Sequence, residues 1–258
     1  MENTFSNYIH FEDFTFKHAR GVSDRSGKEF HIYHEIIYFL GGEAEFISEN
    51  LHMQLSSGTL IVIPRETYHQ MIIHGEQARY HRCLLQFTDN PELAGLTNRN
   101  PERIMAIVGD EEVRYLFEKL IASCDRPKAE AALLLKSVLT ILLCSLQNKK
   151  ELTSRENYQT DFIRRATNYI NQNLDKKILI SEIAAECNVS VSTLTHLFKK
   201  EMNIPIHKFI IKKRLINAYH KISAGEPATL AALECGFNDY SGFYRQYVKS
   251  FGFPPSRK

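Results

Sequence analysis

The chain has 258 residues, of which 43% are hydrophobic and 24% charged, and a net charge of +2. That length allows two ordinary domains, each with its own core, and the composition is that of a soluble globular protein. No apolar run is read as reaching the ~18–20 residues of a membrane span, and the start, MENTFSNYIHFEDF, lacks the basic end and apolar block of a signal peptide. Five cysteines (Cys83, Cys124, Cys144, Cys187 and Cys235) lie far apart with no CxxC pair. They favour buried thiols in a reducing compartment over disulfides or zinc, so a cytoplasmic setting without a membrane is expected. Residues 1–150 hold 16 Lys+Arg against 20 Asp+Glu, whereas residues 151–258 hold 16 against 10. Either the second half meets a polyanion or its charge is a solvated basic surface.

Residues 29–87 read as short strands. EFHIYHEIIYFL turns at Gly41-Gly42 into EAEFIS, and LHMQLSSG, TLIVIP, YHQMIIHG and ARYHRCLLQF follow. Gly and Pro turns at this spacing predict a β-sandwich or small barrel. Helical periodicity takes over after Pro101, with one helix expected over 102–123 and a second over 128–146. The second is apolar on more than one face, through Leu133, Leu134, Leu135, Val138, Leu139, Ile141, Leu142 and Leu143. A helix that covers one sheet needs a single apolar stripe. The surplus predicts a symmetric dimer contact, or else a helix sandwiched within its own domain.

QNKKELTSRENYQT, residues 147–160, is polar and marks a domain boundary. Beyond it the chain reads as helices over 161–174, 179–187, 191–201, 205–223, 229–235 and 240–251. The domains are therefore placed at 1–150 and 155–258, in an α+β architecture whose second domain is all-α.

ECNVSVSTLTHLFKK, from Glu186, is echoed by ECGFNDYSGFYRQYVKS, from Glu234. In each copy a short Ala-containing helix ends at Cys, and a residue tolerant of positive φ follows: Asn188, then Gly236. A cap then opens the next helix, Ser190 in one copy and Asp239 or Asn238 in the other. Leu194 matches Phe243 and Phe198 matches Tyr247, while Ala184 matches Ala232 with one residue less between them. This is the pattern of a helix-turn-helix, twice. The helix over 205–223 would be about 28 Å long at ~1.5 Å per residue. That is close to the ~34 Å between successive major-groove faces on one side of DNA, though a purely structural helical bundle would show the same hairpins.

These residues resemble the DNA-binding domain of AraC/XylS-type transcription regulators over about Asp161 to Pro255. The second copy carries that family's GF-x-D-x-S-x-F-x-R pattern through Gly236, Phe237, Asp239, Ser241, Phe243 and Arg245. The first half is similar to the cupin-like effector domain of many members, with dimerisation helices between the two. GTLIVIPRETYH follows the second cupin motif, from Gly58 through Pro64 to His69. The first motif survives in part: His31 and Glu35 keep HxxxE spacing, but Glu29 stands where cupin enzymes have a further histidine. Three departures stand out. Ala228 and Ala231 are small where the family has larger aliphatics, which predicts a less well packed second module. Gly242 lies inside the second reading helix. The sequence stops at Ser256-Arg257-Lys258, short of the family's usual final turn.

With Leu194, Leu197 and Phe198 inward, the expected base- and phosphate-facing residues are Ser192, Thr193, His196 and Lys199. In the second module they are Tyr240, Ser241, Tyr244, Arg245 and Lys249, with Arg245 alternatively bracing the domain through Asp239. Lys212, Lys213 and Arg214 are expected to be structural or near phosphates. Gly242 cannot read a base, so the first module is expected to discriminate more, and Gly242→Ala to stabilise the second. In a strand His31, Tyr33 and Glu35 share one face. With His69 they would hold a small polar effector such as a sugar or small acid, against a wall from Tyr33 or Phe39. The incomplete histidine set argues against a tightly held metal, and no cofactor is expected. His52, His74 and His81 are read as ordinary strand or surface histidines. The whole implies a dimeric, effector-responsive regulator on double-stranded DNA, an activator working with RNA polymerase. A metal-dependent cupin enzyme with a DNA-binding tail, or an architectural DNA binder without an effector, are the competing readings.

Overall fold

The computed structural model describes residues 5–11, 14–21, 30–49, 51–76, 79–88, 104–147 and 160–255. Glu29, Glu102, the boundary segment 148–159 and Ser256 to Lys258 lie outside these described residues. The chain forms two compact units, Met1–Tyr158 and Gln159–Lys258.

The first unit carries β1 (Phe5–Phe11), β2 (Phe14–Arg20), β3 (His34–Gly41), β4 (Glu43–Ser48), β5 (His52–Gln54), β6 (Thr59–Ile63), β7 (His69–His74), β8 (His81–Phe87) and β9 (Met105–Val108). Six strands form one sheet in the order β1-β2-β8-β3-β6-β9, and β5-β4-β7 form a second. The strand-rich expectation holds, as two sheets. Strand β3 is buried on both faces, which is why its sequence is a continuous apolar run. Ile36 and Tyr38 pack towards the helices α1 (Glu111–Ser123) and α2 (Lys128–Leu146), beside Phe117, Leu135 and Leu139. Ile37 and Phe39 pack on the opposite face with Phe46, Met53 and Ile61. Glu35 has their parity, so it starts on the face turned to the second sheet.

Several expectations need correction. Strands β1 and β2 were missed, because the N-terminal segment reads as merely polar. Its alternation works only once β8 pairs with β2, with Phe16 opposite Leu85. Residues 105–108 of the expected 102–123 helix are instead β9, paired with β6 through Ile107 and Leu60. Gly109 then takes φ 69°, and Asp110 caps α1 by accepting from the Val113 amide. Helix α2 is also long and apolar enough, by length and composition, to cross a membrane. It instead buries Ala131, Ala132, Leu135, Val138, Leu139, Leu142, Leu143 and Leu146 in its own unit. Most of its apolar surplus is thus used internally. Leu133 and Ile141 stay exposed, at 69% and 48%.

The second unit consists of α3 (Asp161–Gln172), α4 (Ile180–Glu186), α5 (Val191–Met202), α6 (Ile206–Ser223), α7 (Ala228–Glu234) and α8 (Tyr240–Phe251). Pro205 caps α6 instead of opening it. In the first module Ile163, Ile183, Leu194, Phe198 and Phe209 are fully buried, with Phe198 edge-on to Phe209 at 5.4 Å. In the second, Leu215, Ala218, Ala231, Ala232, Phe243 and Tyr247 make the core, with Phe237, Phe251 and Phe253 packed against it. Ala231 and Ala232 lie buried in this core beside the aromatic rings, and Ala228 packs against it.

Candidate functional site

Each expected turn is built as the repeat requires. Asn188 adopts φ 56° and Gly236 φ 77°. Ser190 accepts from the Thr193 amide at 3.1 Å and opens α5. In the second copy the cap is Asp239, whose two carboxylate oxygens both lie 3.0 Å from the Gly242 amide. This revises the reading of Gly242. It is the third residue of α8, in the first turn rather than mid-helix, and a Cβ there would collide with the Asp239 carboxylate.

On α5, Ser192, Thr193, His196 and Lys199 are all exposed, Leu194 and Phe198 are buried, and Leu197 is only half-buried. The Thr193 hydroxyl is engaged with Ser190 at 2.8 Å. On α8, Tyr240, Ser241, Tyr244, Arg245 and Lys249 are exposed over buried Phe243 and Tyr247. Asp239 is spent on its cap, and among the described residues Arg245 has no carboxylate partner. Ser192, Thr193 and His196, like Tyr240, Ser241, Tyr244 and Arg245, lie in the N-terminal halves of their helices, while Lys199 and Lys249 lie in the last turns.

In the first unit His31, Glu35 and His69 come together, although not by the strand geometry expected. Strand β3 begins at His34, so His31 and Tyr33 belong to the loop before it. The loop is pinned to the turn after β6: the Glu66 amide, at φ 64°, donates to the His31 carbonyl at 2.7 Å. Loop folding then stacks the His31 ring on Tyr33, with centroids 3.9 Å apart. Glu35 is 2% exposed. One of its oxygens lies 3.1 Å from His69 Nε2 and 3.5 Å from His31 Nε2, and the other accepts from Gln86 at 2.7 Å. Gln86 also donates to the Tyr33 hydroxyl at 3.3 Å. Sequence reasoning missed Gln86, whose signal is its register directly opposite Glu35 on β8. It also missed Phe46, stacked 6.0 Å from His69. Phe39, by contrast, packs on Tyr80.

The proton positions follow from the partners. His31 Nδ1 donates to the Tyr33 carbonyl at 2.8 Å, and His69 Nδ1 to the Thr67 carbonyl at 3.1 Å. A carbonyl only accepts, so each ring carries its proton on Nδ1. Both Nε2 atoms then face a carboxylate with a lone pair unless a second proton or a cation lies between. Burial alone would raise the Glu35 pKa, but the His31 and His69 rings beside it, once either carries a second proton, outweigh burial and hold the carboxyl well below the usual carboxylate range. His31 Nε2 is buried with no hydrogen-bond partner among the described residues. The three ligating atoms lie within 4.8 Å of one another. With both rings oriented by backbone carbonyls, they fit a divalent cation bound by two imidazoles and one carboxylate. His52, His74 and His81 lie on strands, as expected, and each has a side-chain partner. His52 and His74 both bond Glu45, at 3.0 and 2.8 Å, and His18 meets His81 at 2.7 Å.

The described chain thus combines a paired helix-turn-helix unit with a two-sheet unit that holds a buried polar cluster. The family described as the AraC-like ligand binding domain matches residues 13–143, and a helix-turn-helix domain family matches residues 183–258. The chain belongs to the AraC family of transcription regulators. It is 29% identical over 139 residues to a Photobacterium leiognathi protein named "Probable transcriptional regulator LumQ", covering 54% of this chain and 56% of that one. It is 30% identical over 174 residues to the transcriptional activator NphR of a Rhodococcus species, covering 62% of this chain and 52% of that one. The chain thus spans about half the length of these curated relatives. A solved AraC family regulator from Rhodopseudomonas palustris matches at 29% identity with a TM-score of 0.36, over 38% of this chain and 93% of that one.

Proposed function

We propose that this protein is an effector-responsive, sequence-specific DNA-binding transcription regulator, an activator that works as a cytoplasmic homodimer with RNA polymerase. The observation that carries the reading is the pair of exposed polar helix faces, both on the half of the chain with excess basic charge. Residues 155–258 are assigned to DNA binding, through Ser192, Thr193, His196, Lys199, Tyr240, Ser241, Tyr244, Arg245 and Lys249. Residues 1–150 are assigned to effector binding and dimerisation, the latter through the exposed Leu133 and Ile141 of α2. A regulator is favoured over a cupin enzyme because the matched families are a ligand-binding domain and a helix-turn-helix. In the test, residues 155–258 alone bind duplex DNA with a steep salt dependence and residues 1–150 do not. DNA affinity in the N-terminal fragment would reverse the assignment.

The effector site is assigned to His31, Tyr33, Glu35 and His69, with a small sugar or organic acid as ligand. Glu35→Gln is expected to abolish the thermal shift given by such a ligand while leaving DNA binding intact. A specific observation favours a second reading of the same cluster: the bare, buried Nε2 of His31 suits a divalent cation. There His31, Glu35 and His69 would hold the ion, which would supply a Lewis-acid contact for an oxygen ligand. Metal analysis of purified protein, with turnover assays, separates the two readings and the enzyme alternative.

A further inference from the structure

We infer that Arg214 is a positioning residue that fixes how the two reading helices stand relative to each other on DNA. The inference rests on the proposal that both modules read DNA. Helix α6 joins the modules, and Arg214 lies near its middle. Its Nε donates to the Leu174 carbonyl at 3.2 Å and its Nη2 to the Lys176 carbonyl at 2.5 Å. Both acceptors belong to the first module, between α3 and α4. Its Nη1 donates to the Gly236 carbonyl at 2.8 Å. Gly236 is the turn residue of the second module, four positions before α8 begins. One planar guanidinium is therefore bonded to both modules at once.

Each module packs on α6, the first around Phe209 and the second around Leu215 and Ala218, but apolar packing is non-directional and leaves a small roll about the axis less sharply defined than directed hydrogen bonds would. A rigid fork anchored on both sides removes that freedom, because its donors point in fixed directions. A lysine offers one mobile point charge and cannot hold three divergent carbonyls. The guanidinium is half-buried, and burial pulls its pKa down; its bonds to Leu174 and Gly236 are partly shielded from water, while that to Lys176 is exposed. The turn is shaped around it: a Cβ on Gly236 would lie 2.7 Å from Arg214 Cζ. The matching turn residue of the first module, Asn188, takes the same left-handed backbone with a side chain in place. Glycine at 236 is thus called for by the arginine rather than by φ, which asparagine also adopts.

The experiment uses the full chain and a random-sequence duplex library. The native protein should enrich two short segments at one fixed separation. Arg214→Lys should enrich the same segments with a broadened separation. Its affinity for the fixed-separation duplex should fall about tenfold, as expected for lost hydrogen bonds to a charged group. Affinity for a duplex with one segment should not change. Gly236→Asn, which tolerates the backbone but pushes on the guanidinium, should reproduce this behaviour, and Asn188→Gly should leave the native separation. An unchanged separation in both Arg214→Lys and Gly236→Asn would overturn the inference. So would an equal loss on the one-segment duplex, which would make Arg214 a plain stability residue. Failure of the native chain to enrich paired segments would instead remove the two-module reading itself.

Discussion

The two helix-turn-helix modules share one backbone device and fill it differently. Both turn at a left-handed residue and open the reading helix with a side-chain cap, Ser190 in one and Asp239 in the other. The first packs its reading helix with aliphatic Leu194 and one aromatic, Phe198. The second uses Phe243 and Tyr247 under a ring cluster of Phe237, Phe251 and Phe253. Small residues on one helix and large ones on its partner give the same filled volume as two medium ones. Core size at a single position is therefore a poor guide to module stability.

The largest expected effect tests that equivalence. Phe198→Ala and Phe243→Ala should each cost about 3–5 kcal/mol, since both rings are fully buried. Denaturant unfolding of residues 155–258 measures both. A cost below ~1 kcal/mol at Phe243 alone would break the comparison and restore the loosely packed second module.

A smaller effect asks whether both modules read sequence. His196→Ala and Arg245→Ala should each relax discrimination by about 1–3 kcal/mol at the bases they face. Competition binding against point-substituted operators separates the two positions. An Arg245→Ala loss that is uniform across operators would make that residue a phosphate contact and leave the first module as the main reader.

The smallest effect concerns Gly242. Alanine there gains roughly 0.5–1 kcal/mol of helix propensity, but its Cβ displaces the Asp239 cap, worth about 0.5–2 kcal/mol. The net runs from a gain of about 0.5 to a loss of about 1.5 kcal/mol, so the stabilisation expected from propensity is offset and a small loss is expected. Thermal unfolding of Gly242→Ala beside Asp239→Ala gives the answer. Stabilisation by Gly242→Ala would show that Asp239 caps equally well from another rotamer.

How much of this was legible depended on the range of the interactions. The six C-terminal helices could be placed within a few residues because their signals are local. Pro205, Ser190, Asp239, Asn188 and Gly236 act on backbone within one turn of themselves, and apolar residues three and four apart show the buried stripe. The same local character made the repeat visible, and with it the helix-turn-helix pair. In the first unit, His31, Glu35 and His69 could be named from motif spacing alone. Their grouping was expected for the wrong reason, since His31 lies in a loop rather than in β3.

What only the tertiary structure decided depends on contacts between distant segments. Strand β2 is a strand because β8 pairs with it, β1 because β2 does, and β9 because β6 does. Local propensity carries no trace of a partner some sixty residues away, whereas sheet hydrogen bonds require one. Gln86 joins Glu35 only through strand register, and Arg214 meets Leu174, Lys176 and Gly236 only after both modules have folded onto α6. Helices, caps and turns are written where they act, while polar partnerships between remote segments exist only once packing has brought their backbones together.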